Sequence, residues 1–182
     1  MFQDHLGLNP TQAKWSYETT TREGRKPKLS LDGRIQLADI PSLRQRRTVS
    51  KWLIEAANYL EIATEVATVL KGAVFEIRQG YKSKDSKRQN ADIANAATAY
   101  SQGYLPVVVV LSEQIDNDIA ERYENEKWLI LRGHLSGSPF QSTYAFSRRI
   151  VGYDLAKFFQ QNSVTLKSAI EDVLKTLLRA YD

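Results

Sequence analysis

The chain has no cysteine, and only two histidines, His5 and His134, stand among its 182 residues. The first absence excludes disulfides, thiolate metal sites and cysteine nucleophiles, and it is compatible with a reducing compartment. The second argues against a histidine-built zinc site and against a serine–histidine triad. Long apolar runs are missing as well. The longest, YLPVVVVL at 104–111, is too short to cross a bilayer and contains Pro106. The first residues, MFQDHLGLNPTQAKW, have no basic start ahead of an apolar stretch and do not read as a signal peptide. A soluble, cytoplasmic protein with no membrane partner is therefore expected. No glycine-rich phosphate loop follows any predicted strand, which weighs against a nucleotide-binding enzyme.

What is present fits one domain over residues 1–182, long enough to bury a core. Apolar residues make up 42% and charged residues 25%, and the formal charge is only +4, so clustering of charge carries more information than its sum. Residues 1–47 are polar and weakly patterned, except that KLSLDGRIQL (28–37) alternates around Asp32-Gly33, a pair suited to a two-residue hairpin turn. ADIPSLRQRR reads as a loop, with RQRR at 44–47 available to a phosphate backbone. The apolar spacing from Thr48 to Leu70 predicts one amphipathic helix.

GAVFEIRQG then reads as a strand, and 86–101 as a serine-capped, alanine-rich helix ended by Gly103. YLPVVVVLSEQI lacks alternation and suits a strand buried on both faces of a parallel sheet. DNDIAERYENE predicts a short helix capped near Asp116 or Asn117, and KWLILRG a further strand. Residues 140–182 predict two helices divided near NSVT (162–165). Trp15, Trp52 and Trp128 sit in apolar context and are assigned to the core. Strands alternating with helices imply α/β architecture, or α+β if the N-terminal hairpin joins the sheet antiparallel. Within the one domain, 1–47 would form an N-terminal hairpin and loops, 48–135 the core that carries the site, and 140–182 the C-terminal helices.

One stretch stands out, VFEIRQGYKSKDSKRQNADI at 74–93. Arg78, Lys82, Lys84, Lys87 and Arg88 put five cations into eleven positions, bracketed by Glu76 and Asp92. Residues two apart on a strand share a face, so Glu76 and Arg78 point together. Taken alone, that pair reads as an ordinary surface ion pair. The cations that follow change its meaning, because charge of that sign at the first turn of a helix opposes the helix dipole unless an outside anion settles there. Gln89 and Asn90 add amides of the kind that meet base edges, so the segment points to nucleic acid. Carboxylates beside a phosphate-binding surface repel the ligand unless a divalent cation lies between them.

The acid-x-cation strand, the basic loop and the helix running KRQNADIANA together resemble the active-site region of type II restriction endonucleases of the PD-(D/E)XK superfamily. The impression is of the group that cuts GGWCC. The resemblance spans residues 72–115, and the rest only by element order. It implies a central mixed sheet flanked by helices, a Mg²⁺ cofactor, double-stranded DNA as substrate and a homodimer on a palindromic target. It further implies Glu76 and Asp92 as metal-binding acids, Arg78 or Lys82 as the catalytic cation, and Lys82, Lys84, Asp85, Lys87, Arg88, Gln89 and Asn90 as DNA contacts. The family's cation is normally lysine, and here position 78 is arginine. The family's first acid has no obvious counterpart: Asp39 is one candidate, and Glu55, Glu61 and Glu65 are others. The alternative expectation is a non-catalytic DNA- or RNA-binding module that uses the same 78–90 segment.

Overall fold

A computed structural model of the chain describes residues 1–18, 28–80 and 95–179. Its centre is a four-stranded mixed sheet in the order β3 (Gly33–Gln36), β4 (Gly72–Arg78), β5 (Tyr104–Val110), β6 (Leu129–Leu131). The strand β3 runs antiparallel to β4, whereas β4, β5 and β6 are mutually parallel. Among the described residues, a second, two-stranded sheet is formed by β1 (Trp15–Glu18) and β2 (Lys28–Leu31). With helices on both faces of the central sheet, the molecule is an α/β protein. No helix among the described residues is long and apolar enough to cross a membrane.

Side-chain alternation along each strand builds two cores. Ile35, Ala73, Phe75, Leu105, Val107, Leu129 and Leu131 point to one face, which is covered by α1 (Phe2–Leu6), α2 (Leu43–Tyr59), α3 (Thr64–Val69) and α6 (Thr143–Phe146). Val74, Tyr104, Val108, Val110 and Ile130 point to the other face. There they meet Trp15, Tyr17 and Leu31 of the β1–β2 hairpin, Ala96 and Ala99 of α4 (helical residues 95–101), and Ile119 and Tyr123 of α5 (Asn117–Asn125). Every residue of β5 is buried, as expected for a central parallel strand that feeds both cores. Trp15, Trp52 and Trp128 are all core residues.

The sequence-predicted strands at 72–80, 104–115 and 127–133 are present, as is α5 with Asp116 as its cap, whose carboxylate accepts from Asp118 N–H at 2.9 Å. Four expectations are corrected. First, β2 and β3 do not form a hairpin across Asp32-Gly33. The chain bends there and leaves one sheet for the other, so β2 pairs with β1 and β3 with β4. Second, the residues expected as a loop after Pro41 already belong to α2, which begins at Leu43 with the Ser42 hydroxyl capping Gln45 N–H. Third, the helix expected over 48–70 is two. Glu61 adopts φ +54° and turns the chain between α2 and α3, while Leu60, Ala67 and Leu70 stay in one core and keep the apolar spacing unbroken.

Fourth, no break occurs at NSVT. Asn162 Nδ2 donates to Phe158 O at 2.8 Å and Ser163 Oγ to Gln160 O at 3.4 Å, so these polar side chains bond back into a continuous α7 (Leu155–Arg179). The division lies earlier, at Gly152 (φ +86°), after a π-helical turn over Ser147–Val151.

Glycine at 72 is dictated by a neighbour. A Cβ there would lie 2.1 Å from the Ile35 carbonyl oxygen on β3, a backbone atom with no room to yield. Gly72→Ala is expected to cost about 3 kcal/mol or more. That corresponds to a fall of roughly 6–12 °C in the thermal unfolding midpoint for a chain of this size, which calorimetry checks.

Candidate active site

In β4 the apolar run stops where the chemistry begins. Val74 is wholly buried in the core beneath the hairpin, and Glu76, two residues on and on the same face, is still only 8% exposed. Arg78 follows on that face and its Nη2 lies 2.7 Å from Glu76 Oε1. A pair so close and so little exposed differs from a solvated surface bridge, because desolvating two charges consumes most of what their attraction returns. Stability alone is therefore a poor reason for these residue types here.

The pair sits where an open sheet presents ligand sites. Glu76 is in register with Val108 of β5 and Arg78 with Val110, at the carboxyl ends of three parallel strands. The hairpin and α4 cover this face, and the two are joined by a hydrogen bond that the Tyr17 hydroxyl donates to the buried Asn95 Oδ1. The loops after β5 and β6 meet at the same edge, where His134 Nδ1 lies 3.3 Å from Glu113 Oε1.

A second carboxylate arrives from β3. Gly33 is in register with Phe75, and Asp32, in the bend just before β3, reaches β4 at Ile77, the residue between Glu76 and Arg78. Asp32 Oδ2 accepts the Ile77 N–H at 2.8 Å, standing in for the strand carbonyl that the bend has turned away. Sequence reasoning missed this residue because Asp-Gly reads first as a turn. The usable signal was that the same dipeptide lies in the N-terminal hairpin that was open to joining the sheet antiparallel.

The other predicted acids are not brought to Glu76. Asp39 lies beyond the opposite end of β3, past Gln36, which is in register with Gly72. It stands at least four strand residues away, about 13 Å, and its Oδ2 is 3.4 Å from Arg34 Nη2. Glu55 belongs to α2 on the far face of the sheet and is 3.7 Å from Lys51. Glu61 and Glu65 are exposed at the α2–α3 break, which leads into the amino end of β4. The remaining residues of the expected site, Lys82, Lys84, Asp85, Lys87, Arg88, Gln89, Asn90 and Asp92, lie outside the described residues.

A cleft of about 560 Å³ runs beside β6, lined by residues that include Glu61, Lys127, Arg132 and His134, but Asp32, Glu76 and Arg78 do not line it.

Comparison with protein-family models, with curated proteins and with solved structures finds no match.

Asp32, held at the Ile77 N–H, and Glu76 both carry hard oxygen donors. Mg²⁺ is commonly held by one or two carboxylates, its other positions being filled by water and phosphate oxygens. No cluster of three metal-binding side chains occurs among the described residues. The donor chemistry of Asp32 and Glu76 is of the kind Mg²⁺ takes. Arg78 supplies a planar donor beside them that suits a phosphate oxygen, in place of the lysine expected by resemblance.

Proposed function

We propose that this chain is a Mg²⁺-dependent endonuclease that hydrolyses phosphodiester bonds of double-stranded DNA in the cytoplasm, a site-specific enzyme of the type II restriction class. One observation carries the reading: a little-exposed acid–arginine pair at the carboxyl edge of parallel strands, with a second carboxylate bonded to the backbone between them. Glu76 and Asp32 would hold the cation and Arg78 would grip an oxygen of the scissile phosphate. Bound Mg²⁺ supplies a lowered water pKa and charge neutralisation at the phosphate. The cation-rich stretch from Lys82 to Arg88 would neutralise flanking phosphates, which contribute most of the affinity and none of the sequence reading.

The second reading, a nucleic-acid-binding module without catalysis, is favoured by one detail. Arg78 already neutralises Glu76 at 2.7 Å, an arrangement that lowers repulsion of phosphate without any metal. Incubation of purified protein with plasmid DNA separates the two. The nuclease yields discrete fragments with Mg²⁺ and none once EDTA is added. Intact plasmid across Mg²⁺ and salt concentrations, with retained gel-shift binding, would establish the module instead.

A further inference from the structure

Helix α7 leaves uncovered a surface that soluble helices normally bury. From Lys157 to Leu178 every side chain is exposed except Asn162 and Leu166, which are half-buried. The sequence is nonetheless that of a seam. Leu166, Ile170, Val173 and Leu177 follow the alternating four- and three-residue spacing of a heptad repeat, Phe159 stands one heptad ahead of Leu166 with Ser163 at the seam position between, and Leu174 lies alongside. Ile170, Val173, Leu174 and Leu177 are each 52–59% exposed, and Leu178 is 70% exposed.

We propose that α7 is the self-association surface of the protein, and that its occupant is α7 of a second copy. Area supports this. Phe159, Ile170, Val173, Leu174 and Leu177, each leaving on the order of 100 Å² of apolar surface in water, present roughly 500 Å² per copy. Two copies would remove roughly 1,000 Å², the level at which a specific interface becomes credible, whereas a patch of that size is near the largest a monomer keeps.

Charge supports it too. The positions flanking the seam are Gln160, Asn162, Lys167, Ala169, Leu174 and Thr176, so Lys167 is the one ion beside it. Lys167 Nζ lies 3.9 Å from Glu171 Oε1 of its own helix, and Lys175 Nζ lies 3.9 Å from Asp172 Oδ1 on the outer face. Two identical helices therefore meet without like charges opposed. An antiparallel pair about a two-fold axis sets Ile170 against Val173 of the second copy and Leu166 against its Leu177, giving a self-complementary and closed contact.

The inference stands apart from the nuclease reading, since its test needs neither DNA nor metal. Light scattering after gel filtration is run on the full chain over a roughly hundredfold concentration range, because dimer formation follows mass action. The parent is expected at twice its 20.7 kDa. The double variant Ile170→Glu, Leu177→Glu is expected at the monomer mass, with its dissociation constant raised at least about a hundredfold and its thermal midpoint at high dilution unchanged. Val164→Glu, on the outer side of the helix, should remain dimeric. A parent that is monomeric throughout, or a double variant that still dimerises, would overturn the proposal. So would binding of the monomeric parent to anionic lipid vesicles that the double variant loses, since the seam would then belong to a membrane surface.

Discussion

Replacing Glu76 by glutamine is expected to reduce Mg²⁺-dependent DNA cleavage by about a thousandfold or more, roughly 4 kcal/mol of transition-state stabilisation. Glutamine keeps the length and shape of the side chain, and its carbonyl oxygen still accepts from Arg78, the partner now at 2.7 Å. What is lost is one negative charge and the oxygen that a hard cation prefers. Because the pair is little exposed, some stability goes as well, about 2 kcal/mol, so rates should be compared well below the unfolding transition. DNA affinity behaves differently. In EDTA a carboxylate beside phosphate is repulsive, and Glu76→Gln should bind duplex DNA at least as tightly as the parent, as a gel shift would read. Cleavage within tenfold of the parent would remove Glu76 from the chemistry. Joint loss of cleavage and affinity would make it an organiser of the binding surface instead.

The parts of this fold that were legible in the sequence are those whose local pattern has one solution. The unbroken run Val107–Val110 had to be a doubly covered strand, and it is buried along its full length. Glu76 and Arg78 had to share a face, and they do. What escaped were places where two structures share one pattern. The apolar spacing through Leu60 is the same whether the helix continues or turns at Glu61, because α3 returns its Ala67 and Leu70 to the core that α2 enters. Asn162 and Ser163 look like a helix break until their side chains are seen to bond within α7. The strand pairing at Asp32-Gly33 was hidden for a related reason. A dipeptide that suits a tight hairpin equally suits the bend by which a chain changes sheets, and only the partner strand, forty residues on, distinguishes them.

That bend makes Asp32 the acid to test against the one the sequence favoured. Asp32→Asn is expected to lower Mg²⁺-dependent cleavage at least about a hundredfold, while Asp39→Asn should leave it within about twofold. The comparison is clean because neither change removes a hydrogen-bond acceptor. Asparagine at 32 can still accept the Ile77 N–H with its side-chain oxygen, so β4 keeps the bond now seen at 2.8 Å and Glu76 keeps its place. Asparagine at 39 can still accept from Arg34 at the far end of β3. The two variants thus differ in which end of one strand pair loses a charge. If Asp32 and Glu76 hold the cation together, only the end shared with Glu76 matters, and activity should recover in part when the Mg²⁺ concentration is raised for Asp32→Asn. Loss of cleavage in Asp39→Asn with an active Asp32→Asn would move the metal to the amino end of β4. The little-exposed Glu76–Arg78 pair would then be left without a catalytic role.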